Sequence, residues 1–391
     1  MFKKILCAVL AAVMLAGVLC ACGSKTDNGD STGKASADSV FKIGSIGPTT
    51  GDAAIYGNAV MNAAKLAVDE INAAGGINGY KVEFKAADDE HNAEKSVNAY
   101  NNLKDWGMQI LMGTVTSTPC IAVADNTNSD NMFMLTPSGS AVDCIRYDNA
   151  FRVCFSDPNQ GIASADYIAG QKLATKIAVI YNSSDPYSTG IYEKFMAEAK
   201  VKNLSVVSET AFTSDSNKNF SVQLQQAKSA GADLVFLPIY YQEASLILAQ
   251  AKSMGYAPKF FGVDGMDGIL TLEGFDTSLA EGVMLLTPFA ADAQDDLTQK
   301  FVSAYKAKYN ETPNQFAADA YDAIYIIKAA AEKANANPGM SVEEICNALK
   351  GAMTQITFDG VTGLGMTWAA DGEPTKAPKG MVIKNGAYVA M

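Results

Sequence analysis

The sequence predicts an α/β protein of two Rossmann-like lobes, each built on a parallel sheet. From Phe41 onward, short apolar runs alternate with amphipathic helical segments, and right-handed crossovers turn such an alternation into a parallel sheet. The alternation breaks at 151–161 and then starts again. A chain of 391 residues also exceeds the roughly 250–300 residues at which a single core stops growing. We therefore expect two lobes joined by several chain crossings that act as a hinge.

The first lobe is predicted over residues 40–158 and 288–368. It opens with a strand at Phe41–Gly47, a glycine-punctuated loop, and a helix that ends at Gly75-Gly76. That helix carries apolar residues at helical spacing, namely Val60, Ala64, Ala67, Val68 and Ile71. The other predicted elements are a strand at Lys81–Ala87, a helix at Ala93–Trp106, strands at Gln109–Met112 and Met132–Leu135, a helix at Phe316–Lys333 and a short segment near Thr357–Thr367.

The second lobe is predicted over residues 159–287 and 369–391. Its first helix opens with Asp185-Pro186-Tyr187, much as Ala54-Ile55-Tyr56-Gly57 opens that of the first lobe. Its elements are a strand at Lys176–Tyr181, a helix at Tyr187–Lys202, a strand at Leu204–Phe212, a helix at Phe220–Ala230, a strand at Leu234–Pro238, a strand at Gly282–Pro288 that could cross back, and a closing segment at Met381–Val389.

The N-terminus has the pattern of a lipoprotein signal peptide at residues 1–21. Two lysines precede the apolar run Ile5 to Cys20, and small residues stand before Cys22. This arrangement resembles a bacterial lipobox, in which the cysteine carries the lipid; a plain secretory signal is the alternative. Residues 22–39 hold no apolar side chain larger than alanine after the cysteine, so we expect a flexible tether. The protein is predicted to be extracytoplasmic and anchored to the membrane by its N-terminal lipid.

The charge balance excludes two classes of partner. A formal net charge of −12 and the lack of a basic patch argue against nucleic acid and against electrostatic binding to anionic lipid. No later run reaches the ~20 apolar residues of a membrane helix. We expect a monomer that contacts the membrane through its lipid and through a protein partner.

Two strand-end clusters supply the first candidate site residues. The stretch Gly113 to Ser140 holds two apolar runs, each ending in Gly, Ser, Thr and Pro. Strand ends of this kind face the ligand crevice of an open α/β sheet, which selects Ser117, Ser138 and Ser140. Hydroxyls and free N–H groups at the start of a helix suit a carboxylate, and Ser117 precedes such a helix.

The second lobe supplies complementary candidates. Asp264 follows an apolar strand, and a buried carboxylate suits an ammonium group. Tyr56, Tyr187 and Tyr240 lie at strand ends, where aromatic rings can cover a ligand side chain. Helix capping and simple packing are the alternatives for each residue alone. Their joint occurrence at corresponding ends of two lobes favours a site for a zwitterion.

The residues exclude the common enzyme classes. The one histidine, His91, lies in a polar run, so a histidine-rich metal site is missing and a catalytic triad has little support. There is no GxSxG elbow and no Walker A loop, and Gly363-Leu364-Gly365 lacks the third glycine of a dinucleotide loop. Asp88, Asp89 and Glu90 are adjacent acids that we expect to be solvated. We predict no catalytic residue, no metal and no cofactor.

The cysteines after Cys22 match no metal-binding spacing. An extracytoplasmic location permits a disulfide, and Cys144 has two candidate partners, Cys120 and Cys154. Buried free thiols are the alternative, also for Cys346. The sequence leaves this choice open.

The chain resembles a known family, the type I periplasmic solute-binding proteins of branched-chain amino acid ABC transporters. The resemblance covers nearly all of residues 40–391. It is carried by KIGSIGPTTGDAAIYG at Lys42–Gly57, LAVDEINAAGGINGYKVEF at Leu66–Phe84, the clusters around Ser117 and Ser140, the FR and SDPNQG runs within Phe151–Gly161, and FFGVDG at Phe260–Gly265.

The resemblance implies a role for each site residue. Ser117 and Ser140 would hold the α-carboxylate, Ser138 would offer its backbone to the ammonium, and Asp264 would neutralise the ammonium. The aromatic residues that line the cleft would be Tyr56, Tyr187, Tyr240 and Phe316. The implied ligand is an amino acid, leucine, isoleucine or valine, delivered to the permease subunits of an ABC transporter.

Two departures from the family pattern leave the side chain of the ligand open. Asp264 stands where such binders often carry Glu, and Ser140 replaces a frequent Thr. The cysteine bridge of some members is also absent, since His91 and Thr116 stand near those places. An amide, urea or short-peptide ligand therefore stays an alternative, as do a sensory protein of the same fold and, more remotely, a secreted hydrolase.

Overall fold

The computed structural model describes residue 36 and residues 39–391. The predicted signal peptide at 1–21, the predicted lipidation at Cys22 and most of the predicted tether at 22–39 lie outside the described residues. Over the described part of the chain, no helix combines the length and apolar character needed to cross a membrane.

Strands and helices alternate through most of the described chain. The strands are β1 (Phe41–Gly47), β2 (Val82–Asp88), β3 (Ile110–Met112), β4 (Phe133–Thr136), β5 (Ala150–Arg152), β6 (Ile177–Asn182), β7 (Val206–Phe212), β8 (Leu234–Leu237), β9 (Lys259–Gly262), β10 (Met284–Thr287), β11 (Lys379–Lys384) and β12 (Ala387–Ala390). The α-helices are α1 (Ala54–Ala73), α2 (Ala93–Asp105), α3 (Ser117–Ser129), α4 (Asp157–Gly170), α5 (Pro186–Val201), α6 (Ser221–Ser229), α7 (Tyr241–Ser253), α8 (Asp296–Tyr309), α9 (Gln315–Lys333) and α10 (Val342–Met353).

The first sheet has the strand order β2-β1-β3-β4-β5, with all neighbours parallel. Because β2 and β3 lie on opposite sides of β1, the connections that leave β1 and β3 diverge. Such a switch point opens the crevice in which open α/β sheets bind ligands. Tyr56 and Ser117 follow these two strands, at the starts of α1 and α3.

The second sheet has the strand order β12-β11-β10-β9-β8-β6-β7. Its switch point lies between β6 and β8, so the residues after these strands, Tyr187 and Tyr240, face the corresponding crevice. The sheet is not parallel throughout, because β11 and β12 form an antiparallel hairpin beside β10. The prediction of two α/β lobes with parallel sheets is confirmed, with this hairpin as an addition at one edge.

Three segments carry the chain between the lobes, at 153–156, 288–295 and 369–378. The expectation that the strand at Gly282–Pro288 itself crosses back is wrong. Met284 pairs with Phe261 on one side and with Val382 on the other, so the strand belongs to the second sheet and the crossing follows it.

Several helices extend or add to the predicted set. α1 begins at Ala54, the first residue of the predicted helix opening, and the Ala54 N–H donates to Gly51 O at 3.2 Å. α4 begins inside the stretch predicted as a break; Pro158 stands in its first turn, where the missing N–H of proline costs no hydrogen bond. α7, α8 and α10 were not predicted. The segment Thr357–Thr367 contains one isolated bridge, between Phe358 and Met366.

Candidate functional site

All eight residues predicted to bind a ligand line one cavity between the two lobes. They are Tyr56, Ser117, Ser138, Ser140, Tyr187, Tyr240, Asp264 and Phe316. In this closed arrangement the cavity volume left between the side chains is only about 10 Å³. Val115, Thr116 and Gly265 complete its lining.

The first-lobe wall of this cavity consists of the turns that follow β3 and β4. Ser117 is the first residue of α3 and is buried, so the N–H groups of the first helical turn have no partner inside the helix. Ser117 Oγ accepts a hydrogen bond from Ala141 N at 3.2 Å, and Ser138 Oγ donates to Val115 O at 2.6 Å. The two turns are thereby joined into one surface of hydroxyl and N–H groups, which suits a carboxylate.

A glycine brings this wall close to β1. Gly113 directly follows β3 and has a φ of 153°; a Cβ at this position would lie 3.1 Å from Ile46 N and Ile46 O. Glycine alone tolerates this backbone conformation without strain. The turn that leads to Ser117 therefore depends on Gly113.

Asp264 is the charged group of the second-lobe wall. Its side chain is buried, and Oδ1 accepts a hydrogen bond from Tyr187 Oη at 2.6 Å. Burial raises the pKa of the Asp264 carboxyl to about 7, although the Tyr187 hydroxyl favours the charged form. Within residues 39–391 no lysine, arginine or histidine forms an ion pair with it. A buried carboxylate that has hydrogen bonds but no cation is a suitable partner for a ligand ammonium.

Aromatic rings form the sides of the cavity. Tyr187 and Tyr240 are stacked, with ring centroids 4.6 Å apart and an interplanar angle of 10°. Tyr56 and Phe316 face each other with centroids 4.2 Å apart. These faces offer an apolar surface for a ligand side chain.

Hydrogen bonds between the lobes hold the cavity closed. Tyr56 Oη donates to Gly265 O and accepts from Tyr241 N at 3.2 Å. Gln315, at the start of α9, donates from its backbone N to Asp267 Oδ2 and from Nε2 to Asp264 O, both at 2.8 Å. A ligand can enter only after the lobes separate, because these contacts close the cleft around the site.

His91 and Thr116 form a hydrogen-bonded pair beside the cavity. His91 Nδ1 lies 2.8 Å from Thr116 Oγ1, and the imidazole ring meets Tyr240 edge-on at 5.5 Å. Burial lowers the pKa of His91, so the ring is neutral at neutral pH. The resemblance placed both residues near a cysteine bridge of other members, and here a hydrogen bond joins the two.

The acids after β2 differ from the prediction. Asp88 is exposed in part but accepts hydrogen bonds from Thr49 N at 2.8 Å and Thr50 Oγ1 at 2.6 Å, which fixes the loop after β1. Asp89 is fully buried, and burial raises its pKa to about 7. The expectation that these acids are solvated is wrong for Asp89, because its backbone N–H is drawn to Gly47 O at the sheet edge.

The metal-ligating and thiol groups of the described chain form neither a metal cluster nor a disulfide. Among residues 39–391 no cluster of His, Cys, Asp and Glu is arranged to hold a metal ion. The cysteines of this part of the chain are buried free thiols, namely Cys120, Cys144, Cys154 and Cys346. The choice that the sequence left open is therefore resolved in favour of free thiols.

Some residues around the site were missed by sequence reasoning. Gln160 Oε1 accepts from Asp264 N at 3.1 Å; its place in the SDPNQG run was a usable signal. Gln315 had no such signal, since it lies 51 residues from Asp264 and meets it only because α9 begins at the cleft. Gly265 and Val115 also line the cavity, and both lie close in sequence to predicted residues.

Comparison with known proteins gives a likeness that spans both lobes. Residues 40–387 match the family described as periplasmic binding protein. The Leu/Ile/Val-binding protein BraC3 of Rhizobium johnstonii is 31% identical over 310 residues, 79% of this chain and 83% of that protein. The Leu/Ile/Val-binding protein of Escherichia coli K12 is 26% identical over 321 residues, 82% of this chain and 86% of that protein. The crystal structure of the branched-chain amino acid transporter substrate binding protein LivJ from Streptococcus pneumoniae, in complex with isoleucine, has 29% identity and a TM-score of 0.82 over 90% of this chain and 98% of that one.

Proposed function

Because the chain belongs to the periplasmic binding protein family, we propose that it captures an α-amino acid between its lobes and delivers it to an ABC transporter permease. One observation carries this proposal. A wall of hydroxyl and N–H groups around Ser117 and Ser140 faces the buried carboxylate of Asp264 across a single cavity. The two ends of a zwitterion require groups of these two kinds.

The binding chemistry follows from the two walls. The α-carboxylate is held by hydroxyls and helix N-terminal N–H groups, and the ammonium by Asp264, so both contacts are charge-assisted. The ligand touches both lobes only when the cleft is shut, and binding therefore shifts the population toward the closed state. No bond is broken in this function, and the protein acts as a carrier rather than an enzyme.

The proposed ligand is a branched-chain amino acid. The aromatic sides of the cavity, with Tyr56 and Phe316 in contact, offer an apolar surface, and burial of a Leu, Ile or Val side chain contributes about 1.5–3 kcal/mol. The printed names of the relatives, Leu/Ile/Val-binding proteins, support the same class. Asp264 in place of Glu shortens the carboxylate arm, so the ammonium lies closer to the second lobe or is bridged by water.

The proposed cellular setting is the outer face of the cell membrane. Lipidation at Cys22 and a tether at 22–39 would keep the carrier near its permease while leaving both lobes free to move. The protein acts as a monomer in this proposal. Globomycin-sensitive processing and labelling with a radioactive fatty acid test the lipid: label retained by a Cys22→Ser variant contradicts lipidation at this cysteine.

The ligand proposal is tested by a thermal-shift panel of the twenty amino acids, followed by calorimetry. A ligand that binds only the folded protein raises its melting temperature, and we expect the largest shifts with leucine, isoleucine and valine. Urea, acetamide and dipeptides serve as comparison ligands. If one of these shifts the melting temperature and no amino acid does, the zwitterion assignment is wrong.

A further inference from the structure

A buried arginine lies behind the first-lobe wall. Arg152, the last residue of β5, is 0% exposed, yet among residues 39–391 it has one ion-pair partner, Glu373, at 3.5 Å. Burial of a charge is costly unless other polar groups compensate for the lost water. The compensating groups are the carbonyl oxygens of one short loop.

That loop is the turn after Ser138, and its successive carbonyls point at the guanidinium. Arg152 Nη1 donates to Gly139 O at 3.2 Å and to Ser140 O, and Nη2 donates to Ala141 O at 3.0 Å. A planar fork of several donors can hold adjacent carbonyls in this way, whereas an ammonium cannot. The guanidinium therefore sets the orientation of the loop peptides.

The orientation of the carbonyls determines where the loop N–H groups point. In a planar trans peptide the C=O and the N–H point in opposite directions. The peptide between Ser140 and Ala141, whose carbonyl is Ser140 O, shows this directly. Its N–H belongs to Ala141 and donates to Ser117 Oγ on the cavity side. By the same geometry the N–H of Ser140 points away from Arg152, and Ser140 lines the cavity.

Arg152 also joins this loop to the hinge. Arg152 N donates to Gly372 O at 3.2 Å, and Trp368 Nε1 donates to Arg152 O at 2.8 Å. Gly372 and Glu373 lie in the third crossing, and Trp368 directly precedes it. One residue thus connects the ligand-facing loop with a segment that must bend when the lobes close.

We propose that Arg152 is the positioning residue of the carboxylate subsite. It holds the carbonyls of residues 139–141 on one side, so that the Ser140 N–H faces the ligand carboxylate on the other, and it places a positive charge directly behind that peptide. This inference rests on the proposed function, because it requires an α-carboxylate at the first-lobe wall.

The test compares L-leucine with L-leucinamide, which keeps the ammonium and the side chain but lacks the negative charge. If another amino acid of the panel binds more tightly than leucine, that amino acid and its amide replace the pair. For Arg152→Lys we expect about a 10- to 100-fold loss of leucine affinity, the range for losing hydrogen bonds to a charged group. Leucinamide affinity should change less than about threefold. Arg146→Lys, at an exposed arginine paired with Asp125, is the matched control and should change neither affinity.

A second variant keeps the test decisive if Arg152→Lys does not fold. Glu373→Gln removes the negative charge beside the guanidinium and should raise leucine affinity, by up to about threefold because solvent screens part of the effect, without raising leucinamide affinity.

The inference is overturned if Arg152→Lys weakens the binding of both ligands equally, or if the ratio of the two affinities is unchanged in the folded variants. Where leucinamide binding is too weak to measure, the inference is supported if Arg152→Lys lowers leucine affinity and Glu373→Gln raises it. The inference is overturned if both variants change leucine affinity in the same direction. Failure of the proposed function has a different result, in which the wild-type protein binds no amino acid at all.

Discussion

The two walls of the cleft suit the two opposite charges of a zwitterion by different means. The first-lobe wall, around Ser117 and Ser140, is made of backbone N–H groups and hydroxyls that neighbouring turns hold in place. The second-lobe wall depends on the single carboxylate of Asp264 and on aromatic side chains. A backbone group survives most substitutions, whereas a side-chain carboxylate is removed by one. The two walls should therefore respond very differently to mutation.

The largest effect is expected for the second wall. Asp264→Asn should weaken amino acid binding by about 2–5 kcal/mol, much of it the cost of leaving the ligand ammonium buried without a counter-charge. Isothermal titration calorimetry measures the change, with Asp276→Asn, an exposed acid of the same lobe, as the matched control. Unchanged affinity in Asp264→Asn would remove the assigned role of this residue.

The same wall should make binding sensitive to pH. Burial in the closed cleft raises the pKa of Asp264 to about 7, and an ammonium binds the deprotonated carboxylate. Below this pKa, binding must first release the proton, so affinity should rise by up to about tenfold per pH unit between pH 5 and 7 and then level off. Calorimetry across this range measures the slope, and Asp264→Asn should abolish it. A slope that persists in the variant would assign the titration to another acid, such as Asp157, which is buried and whose pKa is also raised by burial.

A smaller effect is expected where the two walls meet. Tyr56→Phe removes the hydroxyl that bridges Gly265 O and Tyr241 N, leaving two buried backbone groups without that partner. We expect a loss of about 1–3 kcal/mol in ligand affinity, because these bonds exist only in the closed state. Stopped-flow fluorescence should show the loss as faster ligand release. A decrease in the association rate alone would contradict a role of Tyr56 in holding the lobes shut.

The smallest effect is expected for the hydroxyls of the first wall. Ser140→Ala leaves the backbone N–H in place, so affinity should fall by only about 1.5 kcal/mol, the lower end of the range for one hydrogen bond to a charged group. Calorimetry on Ser140→Ala and on the exposed control Ser229→Ala gives the comparison. A loss as large as that of Asp264→Asn would show that the first wall also depends on side chains, and the contrast between the walls would be wrong.

Much of the site was predictable because ligand groups of an α/β fold follow strand ends. Ser117, Ser138 and Ser140 were identified from the ends of apolar runs, and Asp264 from its place after β9; all four line the cavity. Asp89 was misjudged for a related reason. Its neighbours in sequence are polar, and only the pairing of β2 with β1 carries it into the interior.

The alternation of strands and helices, the two lobes, and the chemical types of group that face the cleft could be predicted from the sequence, since each depends on short stretches of neighbouring residues. Three features became visible only in the folded chain: Arg152 supports the loop behind Ser140, Gln315 joins α9 to Asp264, and β11 and β12 form an antiparallel edge. These contacts depend on the fold of the chain: Gln315 is far from Asp264 in sequence, and the carbonyls around Arg152 converge only when the turn and the crossing are both in place. No local window of sequence contains that information, because main-chain carbonyls are common to all residues and their direction is set by the fold.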